Sequence, residues 1–339
     1  MPFATVSNFY PDGMIVFGFG RGPEGPLLRG PGHRFVIGFV EEAVKDRSSH
    51  TRVETVAKHW LNNAAAFPRG AGSRRIIMPV ASSGSKKQVQ SPTIDVWYGD
   101  EQHFGKLGVP QKWVNILGRV SPVDGLAALQ YSLNGSAPVQ LSVGADGYRL
   151  ARAGDFNVDL EFDALRAGTN ILTLVATDAL GRRAERMVTV HCHRGNVWPL
   201  PYSIDWSKVR KLTDVVQIVD GNWKLEADGV RTVEPYYDRI LSFGDRTWTD
   251  YTVTVEVTFH SYTSPKRIPP TYGVSHAAIA ARFPGHFADA RQPHVQWYPL
   301  GAVAEFRLAE KLDQSSWRIF RDGEPATFPA TLVESSTRQ

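Results

Sequence analysis

Cysteine is almost missing from this sequence. Cys192 is the only one in 339 residues, so no internal disulfide framework holds the chain together. No run of 18 or more apolar residues occurs, which excludes a membrane-spanning helix. The opening MPFATVSNFYPDGMIVFGFG has no basic leader and its apolar run is broken by glycine, so no secretion signal is visible. A block of one charge is missing too. The net charge is +4 and the pI about 9.1, yet Arg74-Arg75, Lys86-Lys87, Arg182-Arg183, Arg210-Lys211 and Lys266-Arg267 are scattered along the chain. They form no stripe of the kind nucleic acid requires, and no nucleic-acid partner is expected.

Several catalytic signatures are also lacking. There is no Gly-x-Ser-x-Gly elbow and no His-Glu-x-x-His zinc motif. Gly18-x-Gly20-x-Gly22 is followed by Pro23 and Pro26 where a helix would have to open, so it is no dinucleotide loop. His191 and His193 flank Cys192, but no second ligand cluster stands near them in sequence. His-Cys-His therefore reads as a strand terminus, and no metal ligand is assigned.

What is present is aromatic and turn-rich. Nine Trp, seventeen Phe and eleven Tyr suit sheet cores and sugar-stacking faces, and thirty Gly with twenty-two Pro favour short strands over long helices. Residues 1–92 read as an irregular N-terminal region with one helix and a linker. The helix is TRVETVAKHWLNNAAAF, where Thr51 and Glu54 make a capping box and Val53, Val56, Ala57, Trp60, Leu61 and Ala64 recur at helical spacing. A short strand at 76–80 follows, confined to an edge by Pro79.

Residues 93–192 read as strand and turn. WVNILGRV alternates Val114 and Ile116, then Val120 after Gly118, which is expected to be a turn residue. Asn134-Gly135 after Leu129, Tyr131 and Leu133 is a strong hairpin signal. Phe156, Val158, Leu160 and Phe162 share one face, and Trp113 is expected in the core. Roughly seven strands over about 100 residues predict an antiparallel sandwich. Residues 203–339 form a second β-rich unit. GNWKLEADGVRTVEP reads as a hairpin, and in WTDYTVTVEVTFHSY the residues Tyr251, Val253, Val255, Val257 and Phe259 oppose a polar face carrying Glu256.

Two resemblances refine this. LRAGTNILTLVATDALGRRAERMVTV resembles the closing strands of bacterial immunoglobulin-like domains, through Gly168, Asn170, Ala176, Asp178 and Gly181. The last unit resembles the concanavalin A-like lectin/glucanase group, including laminin-G-like modules, through Tyr237-Asp238-Arg239, Phe243-Gly244-Asp245 and the stretch from Trp248 to Tyr251. Together they imply a mainly β protein: an immunoglobulin-like sandwich, then a jelly-roll-like sandwich spanning about 130 residues and expected to stop before its last strands. They also imply an extracellular or cell-surface setting.

In that glucanase group, two carboxylates flank the scissile bond on one strand. Here Glu256 is followed at alternate positions by Thr258 and His260, and Glu226 and Asp228 lack a following Glu. Calcium is a cofactor open to the lectin-like fold, with Asp220, Asp238, Asp245 and Asp250 as loop carboxylates, although such residues commonly serve as turn formers. The best ligand-binding candidates are Arg282, His286, His294, Trp297 and Tyr298, with Arg291 nearby, because aromatic faces stack on sugar rings while Arg and His bond hydroxyls. The expected function is non-catalytic binding of a polysaccharide or glycan. The alternatives are a glycoside hydrolase or lyase of the same fold, and a structural or adhesive module.

Overall fold

The computed structural model describes residues 3–11, 15–19, 33–40, 90–227, 229–234, 239–259, 275–281, 283–295, 302–308, 316–321 and 324–329. The helix expected over 51–67 and the strand at 76–80 lie outside the described residues. Strands dominate, and the only helical elements described are three-residue 3-10 turns.

Three strands come from the beginning of the chain: β1 (Phe3–Pro11), β2 (Ile15–Phe19) and β3 (His33–Val40). Eight follow in the middle unit: β4 (Thr93–Val96), β5 (Glu101–Phe104), β6 (Trp113–Ser121) and β7 (Leu126–Leu133), then β8 (Val139–Gln140), β9 (Asp155–Glu161), β10 (Gly168–Asp178) and β11 (Arg183–Cys192). They form two sheets, ordered β5-β11-β10-β7-β8 and β4-β6-β9. Every pairing there is antiparallel except β5 with β11, which run parallel, a departure from the all-antiparallel expectation. A parallel neighbour is possible because β5 follows the short β4 while β11 closes the unit, so no hairpin joins them.

The two sheets pack face to face. Val114, Ile116, Val120, Phe156, Val158 and Leu160 on one meet Leu129, Leu172, Leu174, Ala176, Val188 and Val190 on the other. The expected hairpin forms at Asn134-Gly135, where both residues take the positive φ that type I′ geometry needs (52° and 77°). Gly118 corrects an expectation: it is not a turn but lies inside β6, between Val96 of β4 and Phe156 of β9. A Cβ there would stand 2.1 Å from the Asp95 carbonyl oxygen and 2.5 Å from the Phe156 ring.

The last third adds β12 (Tyr202–Asp205), β13 (Gln217–Asp220), β14 (Trp223–Glu226), β15 (Gly229–Thr232) and β16 (Ile240–Phe243). After them come β17 (Thr249–Phe259), β18 (Ser275–Ala281), β19 (Ala302–Leu308), β20 (Ser316–Arg321) and β21 (Glu324–Pro329). β14 and β15 make the expected hairpin. The N-terminal strands join this part of the fold: one sheet is ordered β12-β1-β17-β3 and the other β13-β16-β2-β18-β19-β20-β21. The middle unit is thus flanked in sequence by strands that share sheets. Tyr251, Val253, Val255 and Val257 of β17 are buried as the alternation predicts, against Leu241, Phe243, Ala277, Ile279 and Phe306.

Candidate functional site

The middle unit meets the last third along a buried seam. The seam follows from β9, whose sequence DFNVDLE looks half-polar but is buried on both faces up to Glu161. Phe156, Val158 and Leu160 fill the sandwich, while Asp155, Asn157 and Asp159 point the other way. Buried polar groups persist only with partners, and Arg149 is the main one. Its guanidinium grips Asp159 with two bonds (Nη1–Oδ2 2.6 Å, Nη2–Oδ1 3.0 Å) and donates from Nε to Asp220 Oδ1 at 2.6 Å. Asp220 ends β13, so one fully buried cation ties the two units together. Asn115 donates to Asp159 Oδ1 (2.7 Å), and Asn157 donates to Asp220 Oδ1 (3.0 Å) and the Val219 carbonyl (2.8 Å).

Two of the residues expected to bind ligand are inside this seam. The His286 side chain is fully buried, with Nε2 3.7 Å from Asp220 Oδ2. His294 is also buried; its backbone N–H donates to Asp159 Oδ2 (2.8 Å), its carbonyl accepts from Arg149 (2.6 Å), and its ring lies 4.7 Å from that of Trp113. Arg291 sits at the surface on Asp289. Arg282, Trp297 and Tyr298 lie outside the described residues, so of the five candidates the structure brings together His286 and His294. Trp113 is core, as expected, and its indole N–H donates to the His286 carbonyl.

Burial sets the charge states. It pushes the Asp220 carboxyl up to about 7, against the opposing pull of Arg149 and with the help of Asp159. Asp220 Oδ2 is buried and receives no hydrogen bond, in keeping with a carboxyl whose charged form burial disfavours. Burial, reinforced by Arg149 and His294, holds His286 well below the ordinary histidine value, so it is neutral. Two of the carboxylates raised as calcium ligands, Asp220 and Asp245, bond to protein groups. Asp220 serves Arg149, while Asp245 accepts from the backbone N–H groups of Val109, Trp198 and Thr247 and from the Thr247 hydroxyl. Asp245 thereby pins the start of the middle unit to the last third. Asp238 lies outside the described residues, and Asp250 belongs to β17.

Beside the seam lies a small, partly open cleft lined by residues of both units. Tyr98, His103, Lys106, Trp198, Asp214 and Gln217 are among its walls. Gln217 is fixed by donating to the Trp113 carbonyl (2.6 Å), and Tyr98 by donating to the Gly221 carbonyl (2.9 Å) while accepting from Trp223 N–H (3.0 Å). Both floor residues are therefore held by the same packing that closes the seam. Sequence reasoning missed this cleft, because its walls come from four separated stretches. It also left His191 and His193 without companions, and the parallel β5–β11 pairing sets Glu101 and His103 beside them.

Fold and site together define a mainly β protein with sandwich-like packing and a cleft between two units. No protein-family model matches the chain, and no curated protein matches it.

Proposed function

We propose that the protein is a non-catalytic recognition protein that binds carbohydrate in the cleft between an immunoglobulin-like unit and a concanavalin A-like unit, at the cell surface or outside the cell. The lining of the cleft carries this reading. Half-buried Tyr98 offers an aromatic edge, while His103, Lys106, Asp214 and Gln217 offer donors and acceptors. A sugar presents apolar C–H faces rimmed by hydroxyls, and that pairing of groups suits it. Among the described residues Asp214 is the single carboxylate lining the cleft, and hydrolysis by the usual route needs two. The close carboxylates, Asp159 and Asp220, are sealed beneath on Arg149, where no sugar reaches them.

The test is retention of the intact chain on a panel of immobilised polysaccharides, with reducing ends assayed in parallel. Saturable retention without sugar release is expected. The paired change Lys106→Ala and Asp214→Ala, at two exposed side chains, should weaken retention at least about tenfold, the size of one lost charged hydrogen bond. Retention on no glycan, or retention indifferent to the paired change, would contradict the reading. Release of reducing ends would move the protein to the hydrolase alternative.

A further inference from the structure

We propose that Glu101, His103 and His191 form a binding site for a divalent first-row transition ion of the zinc class, with His193 and Thr169 orienting the two imidazoles. The site shares His103 with the wall of the cleft but does not rest on the cleft taking a glycan. It arises from register. β5 runs parallel to β11 with His103 directly opposite His191, and Glu101 lies two residues before His103 on the same face. The alternate residues Gln102, Phe104, Val190 and Cys192 are buried, which turns Glu101, His103 and His191 outward. His193 follows two residues after His191, its backbone N–H bonded to the Phe104 carbonyl (2.9 Å).

The donor atoms converge. One nitrogen from each of His103 and His191 and one oxygen of Glu101 all lie within 4.8 Å of one another. Glu101 Oε1 is 3.1 Å from His191 Nε2 and 3.7 Å from His103 Nε2. A tetrahedral ion with bonds of about 2.1 Å sets its ligand atoms about 3.4 Å apart, so small side-chain rotations complete the geometry. The His103 and His191 rings stack, with centroids 4.5 Å apart and planes 12° from parallel, which keeps both Nε2 atoms on the same carboxylate.

The outer contacts also fit. His103 Nδ1 lies 3.1 Å from His193 Nε2, and His191 Nδ1 lies 3.4 Å from Thr169 Oγ1. With a proton on each Nδ1, donated to these neighbours, each Nε2 presents its lone pair to the ion, the arrangement that metal-bound histidines use. Binding of the ion would replace the 3.1 Å contact between His191 Nε2 and Glu101 with a bond from each to the metal. The adjacent Asp100 does not compete, since Arg186 holds both its oxygens. Three protein ligands leave a coordination position for solvent or an added donor. Two imidazoles and one carboxylate favour zinc, nickel, cobalt or copper over calcium. The ligands come from two strands, so the ion would clip the short edge strand β5 to the sheet.

Zinc titration of the untagged, chelator-treated full chain by calorimetry tests this. One saturable equivalent per chain is expected, with cobalt giving visible d–d absorption at the same stoichiometry. The double change His103→Ala with His191→Ala should abolish both signals, and Glu101→Gln and Thr169→Val should each weaken zinc binding about tenfold or more. All four positions face outward on the sheet, and metal-free unfolding midpoints close to wild type would show that the variants fold. Zinc should also raise the unfolding midpoint of the wild type and not that of the double variant. No saturable uptake by the wild type, or uptake unchanged in the folded double variant, would overturn the site.

Discussion

At the scale of single residues, the seam turns on two titrating side chains whose effects oppose each other. Asp220 is pushed up from 3.8 to about 7, so within that window the folded chain holds more protons than the unfolded one. Its contribution to stability therefore falls as the pH rises from 3.8 towards 7. His286 is held far below 6.5, so the unfolded chain takes the extra proton below that value and stability falls on acidification. Asp220→Asn keeps an acceptor for Arg149 and Asn157 but removes the first slope, leaving the second uncompensated. Denaturant midpoints of this variant should therefore drop more steeply between pH 7 and pH 5 than those of the wild type; parallel slopes would contradict a raised Asp220. The polar alternation of β9 was fully readable in the sequence, but its meaning was not. Asp155, Asn157 and Asp159 have the pattern of a solvated face; Arg119 covers Asp155 within the middle unit, and docking of the last third makes Asn157 and Asp159 interior.

At the scale of elements, local signals were read well where one physical cause dominates. The Asn134-Gly135 hairpin, the β14–β15 hairpin and the buried stripe of β17 each follow from turn chemistry or two-residue alternation. The residues that suggested an immunoglobulin-like unit have clear jobs: buried Asn170 donates to the Arg166 carbonyl (2.8 Å) and accepts from Arg166 N–H (3.0 Å), while Asp178 caps the turn closed by Gly181. Gly118 was misread because glycine inside a strand and glycine in a turn look alike until the neighbouring chain is known. Its position makes a direct prediction. Gly118→Ala forces a methyl group into the Asp95 carbonyl and the Phe156 ring, and overpacking of this kind costs about 1–3 kcal/mol. Urea denaturation should show that loss, and an unchanged midpoint would mean that β4, β6 and β9 do not pack as described.

At the scale of the whole molecule, what escaped the sequence was long-range pairing. Nothing in residues 3–40 announces that β1 and β3 flank β17, or that β2 lies between β16 and β18. Nor does spacing reveal that Glu101 and His191 become neighbours, because register between distant strands is fixed by the packing of entire sheets. The cleft depends on that packing, since its walls belong to both units and keep their shape only while the seam holds. A buried cation shared by carboxylates from each unit is the joint, and its removal would leave Asp159 and Asp220 without their common hydrogen-bond donor. Loss of one member of such a buried set costs about 3–5 kcal/mol. The most direct test is peptide-resolved hydrogen exchange of the intact chain in increasing urea, comparing β10 with β17 in the wild type and in Arg149→Met. One shared opening midpoint is expected, lowered in both strands by Arg149→Met. Separate midpoints, with Arg149→Met moving one strand alone or neither, would contradict a jointed pair of units with a fixed cleft between them.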